Sequence, residues 1–419
     1  MLLPSMKTHL IACLLIPSLL PCACAAAPAV AKASSPVEVA FTGSLGYDNN
    51  VYLVDQGTLG RLDSVVSTVG TKVGTQLGCG ASASYAATGY RFWNASDEDN
   101  VKHQLAAGYK HAFDALSVNA ATEFAQVQGE DQGCAYGNIP GKSSFTTVAP
   151  RERRDQFQNK TDLAVRYDLG QNFVRGVGKL QYWDMQTHAL PGAENYRDRY
   201  DLNGGTDFGR TFVKGGPDYY LGYRRGYCYQ DTDATPATVN HATNQYNRFL
   251  AGVDGKVTPS LKLAAQLGWT VNEYTSSYLG TDKSLEGLYQ DVAATWKAAT
   301  NDELQFKTCM GRVVSSTGCA SVLASAYQLG WKHDFSNQWT ATLTGRLAKN
   351  DYDGSSTDRN DVLYTGIAGL TWNSSATLAW TLSVTQEFAK NIRTNVTETF
   401  SDQAAFERTL VSAGIIWKL

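Results

Sequence analysis

Beyond residue 35 the 419-residue chain has no continuous apolar stretch of the ~20 residues that a membrane-crossing helix needs. Helical periodicity is missing over the same range, so the alternating helices and strands of a large soluble α/β chain have no place to form. Proline and methionine are scarce, at 11 and 4 residues. The net charge of −3 is too small to build a nucleic-acid surface, and no nucleic-acid partner is expected. Cys13, Cys22 and Cys24 fall in the N-terminal segment, which leaves Cys79, Cys134, Cys228, Cys309 and Cys319. An odd set leaves at least one thiol unpaired. Without Cys-x-x-Cys spacing or a nearby histidine pair, no zinc site is expected. Cys309 with Cys319, and Cys134 with Cys228, are the pairings that the chain would allow.

What is there begins with a secretory leader. Lys7 precedes an apolar run from Leu10 to Leu20, followed by the small residues Ala23, Cys24, Ala25, Ala26 and Ala27. Cleavage is expected after Ala25 or Ala27, and Pro21 before Cys22 does not suit a lipid-attachment site. The expected organisation is a signal peptide over 1–27, a short periplasmic segment over 28–36 and one all-β unit over 37–419.

From Val37 onward, stretches of about ten residues alternate apolar with polar, the period of a strand with two unlike faces. Leu261, Leu263, Ala265, Leu267, Trp269 and Val271 alternate with Lys262, Ala264, Gln266, Gly268, Thr270 and Asn272. Leu378, Trp380, Leu382 and Val384 repeat the pattern. A soluble sandwich shows such alternation too, and the breaks separate the cases. Tight breaks rich in Gly, Asn, Asp and Ser fall at 78–80, 114–115, 170–171, 214–216, 258–260, 299–301, 336–337 and 373–375. Between them lie longer polar segments, notably 48–63, 129–154, 184–197, 231–241, 351–358 and 391–404. Short turns on one rim and long loops on the other define a transmembrane, up-and-down antiparallel β-barrel of about 18 strands, with 16 as the alternative.

Trp296, Trp331, Trp339, Trp372 and Trp417 all fall near strand ends at the short-turn rim, where amphipathic rings form an interfacial girdle. The stretch Gly108-Tyr-Lys-His-Ala-Phe-Asp-Ala is repeated weakly as Gly330-Trp-Lys-His-Asp-Phe-Ser-Asn. The last strand alternates Val411, Ala413, Ile415, Trp417 and Leu419, and pairing with the first strand near Val37 would remove both edges. That terminus is similar to the assembly signal of outer-membrane barrels, except that Leu419 stands where the final aromatic is expected.

Gly46-Tyr47-Asp48-Asn49-Asn50-Val51-Tyr52, directly after the first strand, resembles the β-barrel porin families of Gram-negative bacteria, which carry a Tyr-Asp-x-Asn-hydrophobic stretch in the first hairpin. The resemblance in layout runs from Val37 to Leu419. It implies a pore in the cell outer membrane, in contact with outer-membrane lipids and lipopolysaccharide and inserted by the barrel-assembly machinery. Some relatives are linked to exopolysaccharide export, which would add periplasmic polysaccharide-export components as partners.

Little in the chain points to catalysis. His103 and His111 alternate in phase with Leu105, Ala107 and Tyr109 on the lipid side, and His333 sits at the short-turn rim. His188 and His241 lie in long loops with no nucleophile motif around them. No enzyme activity and no cofactor are expected, and an outer-membrane hydrolase stands third among the readings. The stretch Asn350-Asp351-Tyr352-Asp353-Gly354 has acids at alternate positions before a glycine but fails the calcium-loop pattern, since Asn360 occupies the place of the final Glu. It and Asp97-Glu98-Asp99 are read as solvated outer loops.

Function is therefore sought on the face opposite the apolar stripe. Lys160, Asp162, Arg166, Arg175, Lys179, Arg224, Arg248, Asp254, Lys262, Lys307, Arg346 and Glu387 are assigned there, with Asp201, Asp207, Lys256, Glu303 and Arg408 beside them. An Arg or Lys facing lipid near the midplane costs roughly 2–4 kcal/mol, so this many charges must face water. Residues 129–154 form the longest loop and the candidate constriction, with Arg151, Arg153 and Arg154 setting charge preference. The alternative is a closed barrel that binds a surface or a partner through its long loops.

Overall fold

The computed structural model describes residues 37–51, 62–127, 156–185, 198–230, 243–274, 284–314, 321–353, 360–392 and 406–419. The expected leader, the segment 28–36, the loop 129–154 with its three arginines, His188, His241, Cys134 and Cys319 lie outside these residues. Among the described residues no helix is long and apolar enough to cross a membrane, which says nothing of strands.

Eighteen strands follow one another in the described chain. They are β1 (Glu38–Asp48), β2 (Ser64–Leu77), β3 (Ala81–Phe92), β4 (Asn100–Phe113), β5 (Leu116–Val127), β6 (Gln156–Leu169), β7 (Asn172–Met185), β8 (Arg199–Thr211) and β9 (Asp218–Gln230). The second half comprises β10 (Asn244–Lys256), β11 (Leu261–Tyr274), β12 (Ser284–Lys297), β13 (Asp302–Val314), β14 (Ser321–Asp334), β15 (Trp339–Asp353), β16 (Asn360–Asn373), β17 (Leu378–Ile392) and β18 (Phe406–Lys418). Each pairs antiparallel with its sequence neighbours, and β1 pairs with both β2 and β18, so the sheet closes without an edge.

The tight breaks read from the sequence fall between strands, as expected. Gly170, with φ of 70°, supplies the left-handed residue of the two-residue turn between β6 and β7. Three other turns share a device: Thr258, Ser336 and Ser375 accept at their side-chain oxygens from the backbone N–H of Leu261, Trp339 and Leu378, at 3.0, 3.2 and 3.0 Å. A hydroxyl that satisfies the turn's own donor explains why these breaks favour Ser and Thr over glycine alone.

Alternation sorts the two faces. Val69, Leu221, Phe208, Phe249 and Leu202 stand 51–73% exposed on the outer face, an apolar band that water does not tolerate and lipid requires. At the short-turn end Trp339 and Trp372 are direct cross-strand partners with stacked rings 5.7 Å apart, and Trp417 pairs with Phe41 at 5.9 Å. The repeated stretch forms the same ladder twice: His111 meets Phe113 edge-on at 4.2 Å, and His333 meets Phe335 at 4.5 Å.

The Tyr-Asp-x-Asn stretch latches the barrel seam. Asp48, fully buried, accepts from Arg408 of β18 at 2.7 Å, and Arg408 also reaches Glu387 at 3.0 Å. Asn49 accepts from the Thr409 backbone N–H at 2.7 Å, and Asn50 donates to the Glu407 carbonyl at 2.8 Å. Val51 is buried against Val66, Phe92 and Ala95.

Three expectations are corrected. Glu98 is fully buried rather than solvated, because a short 3-10 turn over Ser96–Glu98 packs beside that same apolar cluster. Asn350 and Asp351 belong to β15, not to a loop: they continue its ladder with β16, opposite Asp361 and Asn360. Cys228 is a free thiol buried beside Tyr246 and Tyr274, so it forms no disulfide with Cys134.

Candidate functional site in the barrel lumen

Directly opposed residues on paired strands point to the same face, so the register places the charges. Lys160, Asp162 and Arg166 on β6 face inward with Arg175 and Lys179 on β7, through the pairs Arg166–Arg175 and Asp162–Lys179. Arg224 on β9 opposes Arg248 on β10. Lys262 at the start of β11 opposes Lys256. A single row then crosses the sheet from Asp254 through Ala264, Ala293, Lys307, Gln328, Arg346 and Thr365 to Glu387 and Arg408. All twelve candidate residues thus share the inner face, in two different settings.

On β13 to β17 the charges of that row are spaced by the neutral Gln328 and Thr365, and Glu387 then pairs with Arg408 on β18. Next to it lies an apolar row of Cys309, Ala326, Ala348, Leu363, Ala389 and Phe406, each opposite the next and packed as one cluster. Mostly small side chains keep this wall thin.

The wall of β6 to β12 is dense. Asp207, with no exposed surface, receives Arg175 at 2.8 Å and Arg224 at 2.6 Å, one carboxylate between two guanidinium groups. Arg166 bonds Asp168 at 2.7 Å and also holds Asp218, which accepts from Thr211 as well. Arg248 donates to Thr270 at 3.0 Å. Guanidinium planes cover aromatic faces: Arg166 over Phe173 at 3.9 Å, Arg175 over Tyr220 at 4.5 Å, Arg248 over Tyr289 at 3.6 Å and Arg199 over Trp183 at 4.5 Å.

Glycine makes the crowding possible. A Cβ on Gly222 would lie 2.2 Å from Asp207 Oδ1 and 3.0 Å from Arg224 Nη1, so only glycine leaves room for that ion pair. Phe173, Tyr220 and Tyr246 lie over their cross-strand partners Gly209, Gly252 and Gly226 in the same economy of space. These inner aromatics were not anticipated. Their signal was phase, since Tyr220 and Arg224 fall on the same parity of one strand.

Along this dense wall lies a cavity of ≈ 360 Å³, lined among others by Arg175, Lys179, Arg224 and Arg248, and by Asp162, Asp201, Asp254 and Asp291. Toward the long-loop end the inner face narrows. Val313 of β13 lines a small pocket with Trp183, Arg199 and Cys228, and Tyr274 of β11 shares a hydrogen bond of 2.6 Å with Ser321 of β14, two strands beyond its neighbour β12. Among the described residues no three His, Cys, Asp or Glu side chains gather as a metal site.

A closed antiparallel barrel with an apolar outer band and a charged interior is a β-barrel of the outer membrane. Residues 229–405, which contain all of β10 to β17, match the model of the family described as "Putative beta-barrel porin 2". No curated protein matches the sequence. Among solved structures the chain is similar to Acinetobacter baumannii OccAB4, with 9% identity, a TM-score of 0.42 and coverage of 92% of this chain and 99% of that one. It is also similar to the outer membrane protein OpdK from Pseudomonas aeruginosa, at 11% identity and a TM-score of 0.41 over 92% and 99% of the two chains. The siderophore receptor PirA from Acinetobacter baumannii gives 8% identity and a TM-score of 0.43 over 93% and 81%.

Proposed function

We propose that this porin-like barrel passes small hydrophilic solutes across the outer membrane through its charged lumen. The observation that carries the reading is the inward row from Asp254 to Arg408, which crosses nine strands and sets Asp254, Lys307 and Arg346 on the inner face, away from lipid, while Glu387 and Arg408 pair with each other. Barrels of this strand number leave an aqueous lumen unless it is plugged. A polysaccharide would use the same path, but the ring faces on which a sugar chain stacks already carry guanidinium groups. A small solute fits that wall better.

The test is planar-bilayer recording of the refolded mature chain in potassium chloride. Discrete, long-lived conducting steps are expected, and a folded barrel that never conducts would end the reading. Deletion of 133–150, which would leave Arg151, Arg153 and Arg154 in place without their loop, should raise conductance if that segment constricts the pore.

A further inference from the structure

We infer that the outer-leaflet half of the seam between β12 and β13 is a lateral portal, which admits a linear acyl chain from the membrane to the inner face of the barrel. This goes beyond the reading of the lumen as a path for hydrophilic solutes and does not depend on it.

The first argument is a break in the pairing. β12 and β13 pair only from Lys297–Glu303 to Gln290–Met310. The same register would continue through Tyr289–Gly311, Leu288–Arg312 and Gly287–Val313, and none of these pairs forms although the residues lie in strands. On their other sides both strands stay paired toward the loop end, β12 with β11 as far as Ser284 and β13 with β14 as far as Val314. A strand rising about 3.4 Å per residue and tilted by about 40° climbs ~2.6 Å per residue along the membrane normal. Counted from the girdle residue Trp296, the seam parts ~16 Å up at Gln290, and Leu288 stands ~21 Å up in an apolar band ~25 Å tall. Unpaired backbone at that depth is costly, and a wall selected for closure alone would zip.

The second argument is what parts the strands and what spans the gap. Four strand spacings of about 4.8 Å would set β9 and β13 ~19 Å apart along the wall. Their Cα atoms instead approach to within 8 Å, and Val313 shares a small pocket with Cys228 of β9 and Trp183 of β7, so the loop end of β13 leans into the lumen. Arg312 reaches back across the gap. Its Nη2 donates to the Glu286 carbonyl at 3.4 Å, where a ladder bond would otherwise run, and a Cβ on Gly287 would stand 3.6 Å from its Nε. The arginine stem therefore lies in the gap, and one side chain swings aside more readily than a hydrogen-bonded ladder parts.

The third argument is the chemistry of the two mouths. On the lipid side stand Leu288 and its partner Trp269, 45% and 49% exposed. On the inner side Leu285 packs against Cys228, Tyr246 and Tyr274. Gly287 and Gly311, set between the mouths, carry no side chain that would fill the gap. A narrow way that is apolar at both ends suits one extended acyl chain and excludes a sugar ring or a hydrated ion.

Photolabelling of the refolded mature chain in phosphatidylcholine vesicles tests the portal. The probe is palmitate with a diazirine at its chain end, the control is a diazirine-bearing butanoate, and adducts are mapped by mass spectrometry. Palmitate should label the inner-face Leu285 as well as the outer Leu288, and butanoate should label Leu285 at least about tenfold less, since it lacks the chain. Arg312→Ala, which empties the gap, should raise palmitate labelling of Leu285 several-fold. The double variant Gly287→Cys with Val313→Cys, its native cysteines replaced by Ser, should lose that labelling when oxidised and regain it on reduction. Folding of each variant is checked by heat-dependent gel mobility. If the disulfide does not form, Gly287→Trp, which fills the gap, decides through the same loss at Leu285. Palmitate adducts confined to Leu288 and other outer-face residues overturn the portal. So does labelling of Leu285 that Arg312→Ala leaves unchanged and the closed or filled gap does not reduce. Conduction in potassium chloride without adducts at Leu285 removes the portal and leaves the channel. Adducts at Leu285 in a silent barrel remove the channel and leave the portal.

Discussion

Arg224 and Arg248 stand directly opposite each other on neighbouring strands, both inside the barrel, with the buried carboxylate of Asp207 2.6 Å from Arg224. A like-charged pair in that position costs a few tenths to about 1 kcal/mol by itself. Held in a dense wall it would cost more without a counter-ion. Asp207 is therefore the keystone of this wall, and the arginines depend on it more than on each other.

Replacement of Asp207 by Leu should destabilise the barrel by about 3–5 kcal/mol, because the buried guanidinium of Arg224 and the half-buried one of Arg175 lose their shared partner. The triple variant Asp207→Leu, Arg175→Met, Arg224→Met should recover most of that loss, since an apolar set of similar volume needs no counter-ion. Urea unfolding in detergent, followed by tryptophan fluorescence, measures both. A wild-type midpoint for Asp207→Leu would show that the carboxylate does not hold the wall.

The seam yields a parallel expectation with a different readout. Asp48 joins β1 to β18 through Arg408 at 2.7 Å, with Glu387 on the other side of the same guanidinium. Asp48→Ala should leave Arg408 with Glu387 alone and loosen the closing pair of strands first. Hydrogen exchange at the β1–β18 amides, near Leu45 and Ala413, should rise before that of the β15–β16 pair. Uniform protection across both pairs would mean that backbone pairing closes the barrel without the latch.

Much of this architecture is legible in the sequence, and its limits are physical. Turns announce themselves because Gly170, Ser336 and Ser375 have chemistry that strands avoid, and parity sends Arg224 and Leu221 to opposite faces whatever their neighbours are. The opposition of Arg224 to Arg248 is a different matter. It depends on inter-strand register, which one residue of slip would abolish. The inner aromatics were hidden for a related reason. Tyr220 has the composition of a girdle residue, and only its glycine partner Gly252 shows that the ring lies flat inside. Glu98 was misread because a run of acids implies solvent unless the turn that carries it is known to pack on Phe92 and Ala95.

The two faces should differ sharply in their tolerance of charge. Phe249→Arg puts a cation into the outer apolar band near the middle of β10, at a site 62% exposed, and should cost roughly 2–4 kcal/mol. Ala86→Arg, inside the barrel on β3 and opposite Lys72 and Gln104, should cost less than about 1 kcal/mol. Unfolding from lipid vesicles compares the pair. Equal costs would place both side chains in the same solvent and would reverse the assignment of faces.

Orientation in the membrane can be read from one thiol. Cys79 lies exposed in the turn between β2 and β3, on the rim of short turns, which faces the periplasm in barrels of this kind. Cys228 lies buried inside the wall against Tyr246 and Tyr274. With Cys134, Cys309 and Cys319 replaced by Ser, a polyethylene-glycol maleimide too large to enter the lumen, applied to intact cells, should label neither. After the outer membrane is permeabilised it should reach Cys79 while Cys228 stays protected, and unfolding in urea should expose both. The argument turns on geometry, since the two thiols share one chain and one reagent and differ only in rim and burial. Labelling of Cys79 in intact cells would put the short turns at the cell surface and invert the barrel. Labelling of Cys228 in the folded protein would mean that the wall between β8 and β11 opens to solvent from the lumen.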